Sequence, residues 1–524
     1  MQFRRPAGWM LATLMGVQTV AFAQIRYEQL KTADGVLEGV ISADGKVRTF
    51  KGIPFAAPPV GPLRWKAPQP PAAWTGVRKA SEYGARCMQG SIYSDMIFHD
   101  SGPSEDCLYL NLWMPANPTV AKLPVMVWIY GGGYQAGASS EPRQDAGNLS
   151  KKGVLVVSMN YRLGIFGFFS HAELARESGH DSSGNYGLLD QLAALQWVRK
   201  NIATFGGDPD NVTIFGESAG SFSVSALVAS PLAKGLFQRA IGESGAYLSS
   251  ASLPLKPHAE TEKADAGFAK SALGTDSLRE LRAKSADEVL QAALKEKQIR
   301  FAPNIDGYFL PEDVTAIYAK GQESAVPLLA GWNLDEANSR AVLERDAPTA
   351  ANFRKHLESL YGANADQMAR LYAGSSDAEV KRAAQDLASD RFIAFSTWKW
   401  LEMHAKTAKV PVYRYEFDET LPLAPGAPEG AEATAPHASE IEFVFQVLSS
   451  RALPWRPEDR KVSELMGTYW TNFAKTGDPN SGGVPRWPMY TEGGYPVMHL
   501  AAESHAAPDQ HRARYLFLDS LLSR

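Results

Sequence analysis

The stretch Gly216-Glu217-Ser218-Ala219-Gly220 follows the pattern G-x-S-x-G, and the residues on either side of it indicate how the chain folds there. Residues 211–215 are β-branched and aromatic and predict a buried strand, whereas residues 221–229 are small and apolar and predict a helix. A strand that turns sharply into a helix exposes a serine side chain at the carboxyl edge of a sheet. We therefore predict that Ser218 is a nucleophile, and the alternative is an ordinary glycine-rich turn.

Apolar runs on both sides of this stretch predict a parallel sheet. Residues 124–130 and 154–160 are apolar almost throughout, as expected of strands that are buried on both faces. Residues 186–202 place leucine, valine and isoleucine at steps of three and four, which predicts an amphipathic helix. Further strands are predicted at residues 240–242, 326–331 and 410–417. The alternation of strands and helices predicts an α/β fold with a doubly wound, mostly parallel central sheet and helices on both faces.

A hairpin and two helix-rich segments complete the predicted architecture. Residues 36–41 and 47–50 are apolar runs on either side of Asp44-Gly45, a strong signal for a β-hairpin. Residues 255–300 and 345–408 have the composition of helices. We expect these two segments to be helical insertions that lie over the active site.

The first residues have the features of a signal peptide. Arg4 and Arg5 precede a mostly apolar stretch at residues 9–22, and Ala21-Phe22-Ala23 is a small-x-small cleavage pattern. We expect cleavage after this pattern, which makes residues 1–23 a signal peptide and the protein periplasmic or secreted. An uncleaved N-terminal anchor is the alternative. No other run of about 18 apolar residues occurs, which predicts no membrane span after cleavage.

The remaining residues, 24–524, contain no linker that divides them, so we expect a single catalytic domain. The net charge of -4, the pI near 6.2 and the lack of a basic tract argue against a nucleic-acid partner. Cys87 and Cys107 are the only cysteines, and in an exported chain they predict one disulfide, with two free thiols as the alternative. No CxxC motif or Cys/His cluster occurs, so no metal site is expected.

A serine hydroxyl becomes a good nucleophile when a base takes its proton and a third group orients that base. In folds with this strand, turn and helix the chain order is serine, acid, histidine. Among the histidines after Ser218, His437 is the best candidate for the base because it comes directly after a loop, residues 419–436, that follows a predicted strand. The other five are expected at the surface. Asp335 and Glu336 both follow an earlier strand, and their spacing does not choose between them.

The same chemistry needs backbone N–H groups that stabilise an oxyanion. Gly131-Gly132-Gly133 comes directly after the predicted strand at residues 124–130, and glycine lets the backbone approach a substrate closely. A further N–H group is expected from Ala219, the residue after the nucleophile. The alternative for the glycine run is a plain flexible turn.

Seven ordered stretches carry a resemblance to a known family: residues 51–56 with 62–65, 104–111, 128–133, 160–164, 216–220, 335–336 and 437–441. The chain resembles the type B carboxylesterases, the cholinesterase-like serine esterases of the α/β-hydrolase fold. The resemblance covers about residues 35–517, nearly all of the mature chain. It implies an α/β-hydrolase fold and an esterase activity.

The resemblance also implies a role for each site residue. The family's acid is usually the glutamate of an Asp-Glu-Gly motif, so Glu336 is the implied acid, although Ala337 stands where the glycine usually is. Ser218 takes the position of the nucleophile and His437 that of the base. The implied oxyanion hole consists of Gly132, Gly133 and Ala219.

Other matched positions are structural in this family. Cys87 and Cys107 correspond to its first disulfide, and Ser244 corresponds to a buried serine beside the triad. Two pairs resemble its structural ion pairs, namely Arg64 with Glu105 and Arg162 with Asp190.

The implied function is that of a serine carboxylic-ester hydrolase, which acts through an acyl-enzyme on small to medium, hydrophobic or aromatic esters. No metal or organic cofactor is expected. Residues 88–106 contain Tyr93 and Phe98 but no tryptophan to bind a quaternary ammonium, so choline esters are not expected. An amidase or carbamate hydrolase, or a non-catalytic binding protein, is the alternative. Monomer and dimer both remain open.

Several aromatic residues of the helical segments either line the substrate pocket or pack in the core. We expect most of them in the core: Phe301, Tyr308, Phe392, Phe395, Trp398 and Trp400.

Overall fold

A computed structural model describes residue 2 and residues 26–522 of the protein. The signal peptide predicted at residues 1–23 lies outside the described residues, apart from residue 2. None of the helices in the described part of the chain is long and apolar enough to cross a membrane.

Thirteen strands form one sheet. In chain order they are β1 (Arg26–Lys31), β2 (Val36–Ile41), β3 (Val47–Pro54), β4 (Val77–Lys79), β5 (Tyr109–Pro115), β6 (Leu123–Ile129), β7 (Leu155–Met159), β8 (Gly207–Glu217), β9 (Arg239–Glu243), β10 (Leu328–Asn333), β11 (Val412–Phe417), β12 (Pro496–Leu500) and β13 (His505–Pro508). In space the order is β1-β2-β3-β5-β7-β6-β8-β9-β10-β11-β12-β13, and β4 pairs with β2.

The centre of the sheet is parallel and its two edges are antiparallel. From β7 through β6, β8, β9, β10 and β11 to β12, each neighbouring pair is parallel. Strands β1, β2, β3 and β5 lie antiparallel on one side, and β13 lies antiparallel on the other. Parallel pairing places the carboxyl ends of the central strands at one edge, where functional side chains collect in α/β sheets. The predicted mostly parallel, doubly wound sheet is thus confirmed.

Helices surround this sheet. Their bounds are α1 (Gly147–Ser150), α2 (Gly164–Phe168), α3 (Ala172–Ser178), α4 (Tyr186–Asn201), α5 (Ala219–Ala229), α6 (His258–Leu273), α7 (Leu278–Ala283), α8 (Ala286–Lys295), α9 (Val314–Ala319), α10 (Arg340–Leu343), α11 (Ala350–Tyr361), α12 (Ala365–Leu371), α13 (Asp377–Ser389), α14 (Phe395–Thr407), α15 (Ile441–Val444), α16 (Pro457–Thr476) and α17 (Arg512–Leu522). A π-helical turn, Asp390–Ala394, joins α13 to α14. Every residue of β6 and β7 is buried, so both faces of the sheet are covered.

Most predicted elements agree with the structure to within a few residues, and some were missed. The hairpin of β2 and β3, the helix α4 and the strand before Ser218 are all present. Strands β12 and β13 were not predicted, since proline begins one and ends the other, as is typical of strands near a sheet edge. The surface position expected for His404 is wrong, because this residue is buried in α14 and its Nε2 lies 2.7 Å from the carbonyl oxygen of Val326.

Cys87 and Cys107 are joined by a disulfide that closes the loop of residues 88–106. Next to it, the guanidinium of Arg64 donates two hydrogen bonds to the carboxylate of Glu105, at 2.6 and 2.7 Å. Arg64 also donates to the carbonyl oxygen of Lys284 at 2.8 Å, just beyond α7. The base of the loop is therefore fixed both covalently and by a half-buried ion pair.

We expect replacement of both Cys87 and Cys107 by serine to destabilise the protein. A cross-link across about 20 residues removes conformational freedom from the unfolded chain that corresponds to about 3 kcal/mol. The melting temperature of the double variant, measured by circular dichroism, should fall below that of the oxidised wild type. Wild-type protein melted in a thiol reductant should match the variant, and equal melting of the variant and oxidised wild type would contradict the prediction.

Candidate active site

Ser218 lies at the turn between β8 and α5. Its backbone has φ 52° and ψ -122°, a region that L-residues adopt only when their surroundings impose it. A Cβ atom on either Gly216 or Gly220 would collide with the carbonyl oxygen of Ile129 in β6. Both glycines of the pentapeptide are therefore required by the close approach of the neighbouring strand, and the turn between them holds the serine.

His437 lies between the serine and a carboxylate. Its Nε2 atom is 2.9 Å from the hydroxyl oxygen of Ser218, and its Nδ1 atom is 2.5 Å from Oε2 of Glu336. The residue follows the predicted loop 419–436, whose last residue, Pro436, forms a β-bridge with Asp335. The loop thus sets the imidazole directly against the strand end that carries the acid.

The geometry separates the two acids that spacing left open. Glu336 points to the histidine, and its other carboxylate oxygen accepts hydrogen bonds from the Ser244 hydroxyl at 2.5 Å and from the backbone N–H of Asn333 at 2.7 Å. Asp335 instead faces α13, where it pairs with Arg382 at 2.6 Å. The structure therefore brings together Ser218, His437, Glu336 and Ser244, and excludes Asp335 from direct contact with the histidine.

The glycine run after β6 lies beside the serine. A Cβ atom on Gly131 would lie 2.9 Å from Cβ of Ser218, and Gly132 and Gly133 have φ values of 95° and 63°. Among the described residues, no hydrogen bond is donated by the backbone N–H of Gly132, Gly133 or Ala219. Three free N–H groups at one place next to a serine hydroxyl are what a tetrahedral oxyanion requires.

Several side chains form the rim around these glycines. Two of them belong to the loop that the disulfide closes: a Cβ atom on Gly132 would lie 3.0 Å from the methyl carbon of Met96, and one on Gly133 would lie 3.2 Å from the hydroxyl oxygen of Tyr93. The guanidinium of Arg300 donates to the carbonyl oxygen of Gly133 at 2.9 Å. Arg300 was not singled out from the sequence, because an exposed arginine in a helix-rich segment belongs to no motif.

Phe392 is the one aromatic residue of the six whose ring packs against His437. Its ring packs edge-on to the imidazole of His437 with centroids 5.1 Å apart, and 36% of the residue is exposed. It lies on the π-helical turn, a feature that is frequent at functional sites. Tyr308 stacks on His180 away from the triad. The other four are buried, as expected: Phe301, Phe395, Trp398 and Trp400.

Further buried carboxylates cluster next to Ser218 and His437. Glu217, next to the serine in sequence, is 2% exposed and has Oε1 3.2 Å from Nε2 of His437. Glu440 accepts a hydrogen bond from the side-chain amide of Asn333 at 2.5 Å, and Glu243 accepts one from the indole of Trp470 at 2.7 Å. Neither Glu217 nor these two acids was predicted as part of the site.

This charge density shifts the pKa of each group. Burial alone would lower the pKa of His437, but the carboxylates of Glu217 and Glu336 outweigh it and raise the pKa to about 9. Burial raises the pKa of Glu217 to about 7, against the opposing charge of His437. Burial, together with the nearby Glu217 and Glu336, raises the pKa of Glu440 to about 8. The imidazole therefore holds its proton more tightly than an ordinary histidine does.

Comparison of the sequence with known proteins agrees with this geometry. The sequence model of a protein family described as "Carboxylesterase family" matches residues 26–517. The chain is 37% identical over 486 residues to a fumonisin B1 esterase of Sphingopyxis macrogoltabida. The aligned region covers 88% of this chain and 84% of that protein. It is 38% identical over 482 residues to a para-nitrobenzyl esterase of Bacillus subtilis (strain 168), with 89% and 93% covered.

Solved structures lead to the same family. A thermophilic PNB esterase superimposes with a TM-score of 0.79 at 36% sequence identity, and the alignment covers 94% of this chain and 100% of that one. The shared fold is the α/β-hydrolase fold that the resemblance implied. By sequence and by structure, the protein belongs to the carboxylesterase family of hydrolases.

Proposed function

We propose that the protein is a serine carboxylic-ester hydrolase in which Ser218, His437 and Glu336 form the catalytic triad. The observation that carries the proposal is the position of His437, whose two ring nitrogens lie 2.9 Å from the serine hydroxyl and 2.5 Å from the glutamate. A base in contact with a nucleophile on one side and with an acid on the other is the arrangement that activates a serine.

The reaction then proceeds in two acyl transfers. Ser218 Oγ attacks the ester carbonyl carbon while Nε2 of His437 takes its proton, and the tetrahedral oxyanion accepts hydrogen bonds from the N–H groups of Gly132, Gly133 and Ala219. Each such donor contributes about 3 kcal/mol to the transition state. The imidazolium protonates the departing alcohol as the C–O bond breaks. Water, deprotonated by His437, then attacks the acyl carbon, the bond from this carbon to Ser218 Oγ breaks, and the imidazolium returns the proton to Oγ as the acid leaves.

Glu336 orients the imidazole and stabilises its cation in this scheme. Ser244 acts through Glu336 as a positioning residue, since its hydroxyl donates to the carboxylate oxygen that does not face His437. Ser244 itself has φ 60° and is fully buried, so its own position is imposed by the fold. The acid is thus held by two donors, the hydroxyl of Ser244 and the backbone N–H of Asn333.

We further propose that the substrates are small to medium, hydrophobic or aromatic esters. Support comes from the apolar groups at the rim, the ring of Phe392 against His437 and the methyl group of Met96 beside Gly132. The relatives include enzymes whose names refer to para-nitrobenzyl esters and to fumonisin B1. The loop of residues 88–106 has no tryptophan, which argues against choline esters.

The replacement Ser218→Ala should abolish turnover of a para-nitrophenyl ester, because no other hydroxyl replaces the nucleophile. We expect kcat to fall by roughly four to six orders of magnitude. The circular dichroism spectrum should stay that of the wild type, and a fluorophosphonate probe should label the wild type but not the variant. Retained turnover or labelling by the folded variant would rule out Ser218 as the nucleophile.

Activity should rise with pH, since only the neutral form of His437 accepts a proton. The carboxylates raise the pKa of this imidazole, so the midpoint of the acid limb of kcat/KM should lie above about 6.5, the ordinary value for histidine. Glu217→Gln removes one of these carboxylates, and the midpoint should move to lower pH by roughly one unit. A midpoint that stays in place or moves upward would contradict this assignment.

Ser244→Ala is the matched comparison for that experiment. It removes a hydrogen bond to Glu336 but leaves every carboxylate in place. We expect kcat to fall by about 10-fold, from the loss of a charge-assisted hydrogen bond, while the acid limb does not move to lower pH. If the midpoint of the acid limb in Ser244→Ala moved to lower pH as in Glu217→Gln, the midpoint would depend on general damage to the site and not on the charge beside His437.

An amidase or carbamate hydrolase is the second candidate, because the same groups attack amides. Matched para-nitrophenyl esters and para-nitroanilides with the same acyl group separate the two. We expect kcat/KM to be higher for the ester at every acyl length and to be highest for apolar acyl groups. Faster hydrolysis of the anilide would favour the amidase.

We also propose that residues 24–524 form one catalytic unit that is exported. The support is the leader pattern at residues 1–23 and the disulfide between Cys87 and Cys107. The mass of the mature chain tests the proposal, which requires an N-terminus at Gln24.

A further inference from the structure

A second cluster of titratable side chains lies where β11 meets β12, outside the triad. Glu416 in β11 is paired in register with His499 in β12. Asp418 follows the end of β11, and its backbone N–H donates to the carbonyl oxygen of Leu500 at 3.0 Å. One ligand atom from each of Glu416, Asp418 and His499 lies within 4.8 Å of the other two. Strand pairing thus assembles three side chains that no local sequence motif connects.

Glu416 is the residue that points to a bound cation. It is only 7% exposed, and its carboxylate forms no hydrogen bond or ion pair with the described residues. In Asp418, Oδ2 lies 2.6 Å from Nδ1 of His499, whereas Oδ1 is buried without a hydrogen-bond partner. A buried carboxylate oxygen without a partner is costly, so Oδ1 of Asp418 favours a further positively charged partner in this cluster.

The positively charged neighbours of Glu416 are Arg414 and His499, and neither forms an ion pair with its carboxylate. Arg414, on the same face of β11, forms an ion pair with Asp509. Asp390, on the π-helical turn, adds another carboxyl group near Glu416 and is itself bound by the hydroxyl of Tyr372 at 2.6 Å. A protonated His499 would balance only one of the two carboxylates. A divalent cation balances both of them.

We propose that Glu416, Asp418 and His499 bind a divalent transition-metal ion, and Zn²⁺ is the ion that this ligand set fits best. An imidazole nitrogen combined with carboxylate oxygens is typical of zinc sites, whereas calcium and magnesium prefer oxygen ligands alone. The side chains of His499 and Asp418 are 24% and 23% exposed, so the ion can enter from the surface and keep a bound water as its fourth ligand.

The proposed ion has a structural role. Its ligands come from the end of β11, from the start of the loop that leads to His437, and from β12. Binding would therefore tie this loop to the sheet at the end opposite the β-bridge between Pro436 and Asp335. The expectation from the sequence that no metal site exists was based on the lack of a CxxC motif or Cys/His cluster. Such a pattern does not detect ligands that parallel pairing of distant segments brings together.

Titration of the full mature protein, freed of metal with EDTA, tests this proposal. By isothermal titration calorimetry with ZnCl₂ near neutral pH, we expect one Zn²⁺ per chain, and the melting temperature should rise with Zn²⁺. Glu416→Gln keeps the size of the side chain and removes its charge, and it should weaken binding by at least ~10-fold. No binding by the wild type, unchanged affinity in the variant, or tighter binding of Ca²⁺ than of Zn²⁺ would overturn the proposal.

His505 provides a matched control. Its exposed ring stacks on His499 with centroids 5.5 Å apart, but it does not belong to the cluster. His499→Ala should abolish Zn²⁺ binding, whereas His505→Ala should leave the affinity unchanged. Equal loss in both variants would assign the zinc to a surface histidine pair and overturn the proposed ligand set.

A measurement that needs no variant completes the test. Crystals of the wild-type protein soaked in ZnCl₂ should show an anomalous difference peak between the side chains of Glu416, Asp418 and His499. The lack of a peak at this position in otherwise well-ordered crystals would overturn the proposal, even if every variant failed to fold.

Discussion

The close approach of β6 to the turn after β8 is the contact on which the site depends. The carbonyl oxygen of Ile129 leaves no room for a side chain at Gly216 or Gly220, and the turn between these glycines holds Ser218 in a conformation that L-residues otherwise avoid. Parallel pairing of β6 with β8 fixes this contact along several residues. The same pairing brings the glycine run after β6 beside the serine, so one packing constraint positions both the proposed nucleophile and its proposed N–H donors.

The second constraint on the site is the repulsion among its buried carboxylates. Four buried glutamates cluster at the site, namely Glu217, Glu243, Glu336 and Glu440, and all but Glu243 act on the imidazole of His437. Burial raises the pKa of Glu243 well above its usual range, and burial with its acidic neighbours raises that of Glu440 to about 8, so the environment favours the protonated form of both. Because these coupled groups share protons and are not all ionised at once, the cluster can be buried in a folded interior.

The sequence was informative where a single segment carries the signal. The turn at Ser218, the glycine run and the central strands each follow from local composition, and the structure has all of them. The choice between Asp335 and Glu336 did not follow from spacing, since adjacent residues after a strand point to different sides. Only the family resemblance selected Glu336, which the structure places against His437.

Features that depend on contacts between distant segments were not predictable in this way. His404 was expected at the surface, yet it is buried because α14 packs against the strand region near Val326. Arg300 reaches Gly133 from a segment of unremarkable composition, and Glu217 meets His437 only after the loop of residues 419–436 has folded back over the sheet. Local periodicity contains no information about such contacts.

The loop between Cys87 and Cys107 links the oxidation state of the chain to the candidate site. Met96 and Tyr93 in this loop lie beside the glycines that are proposed to stabilise the oxyanion, so part of the rim of the candidate site belongs to a segment that the disulfide closes. Reduction of the disulfide to two thiols removes this cross-link and frees the loop, so the position of Met96 and Tyr93 beside the glycines depends on the oxidation state of the chain.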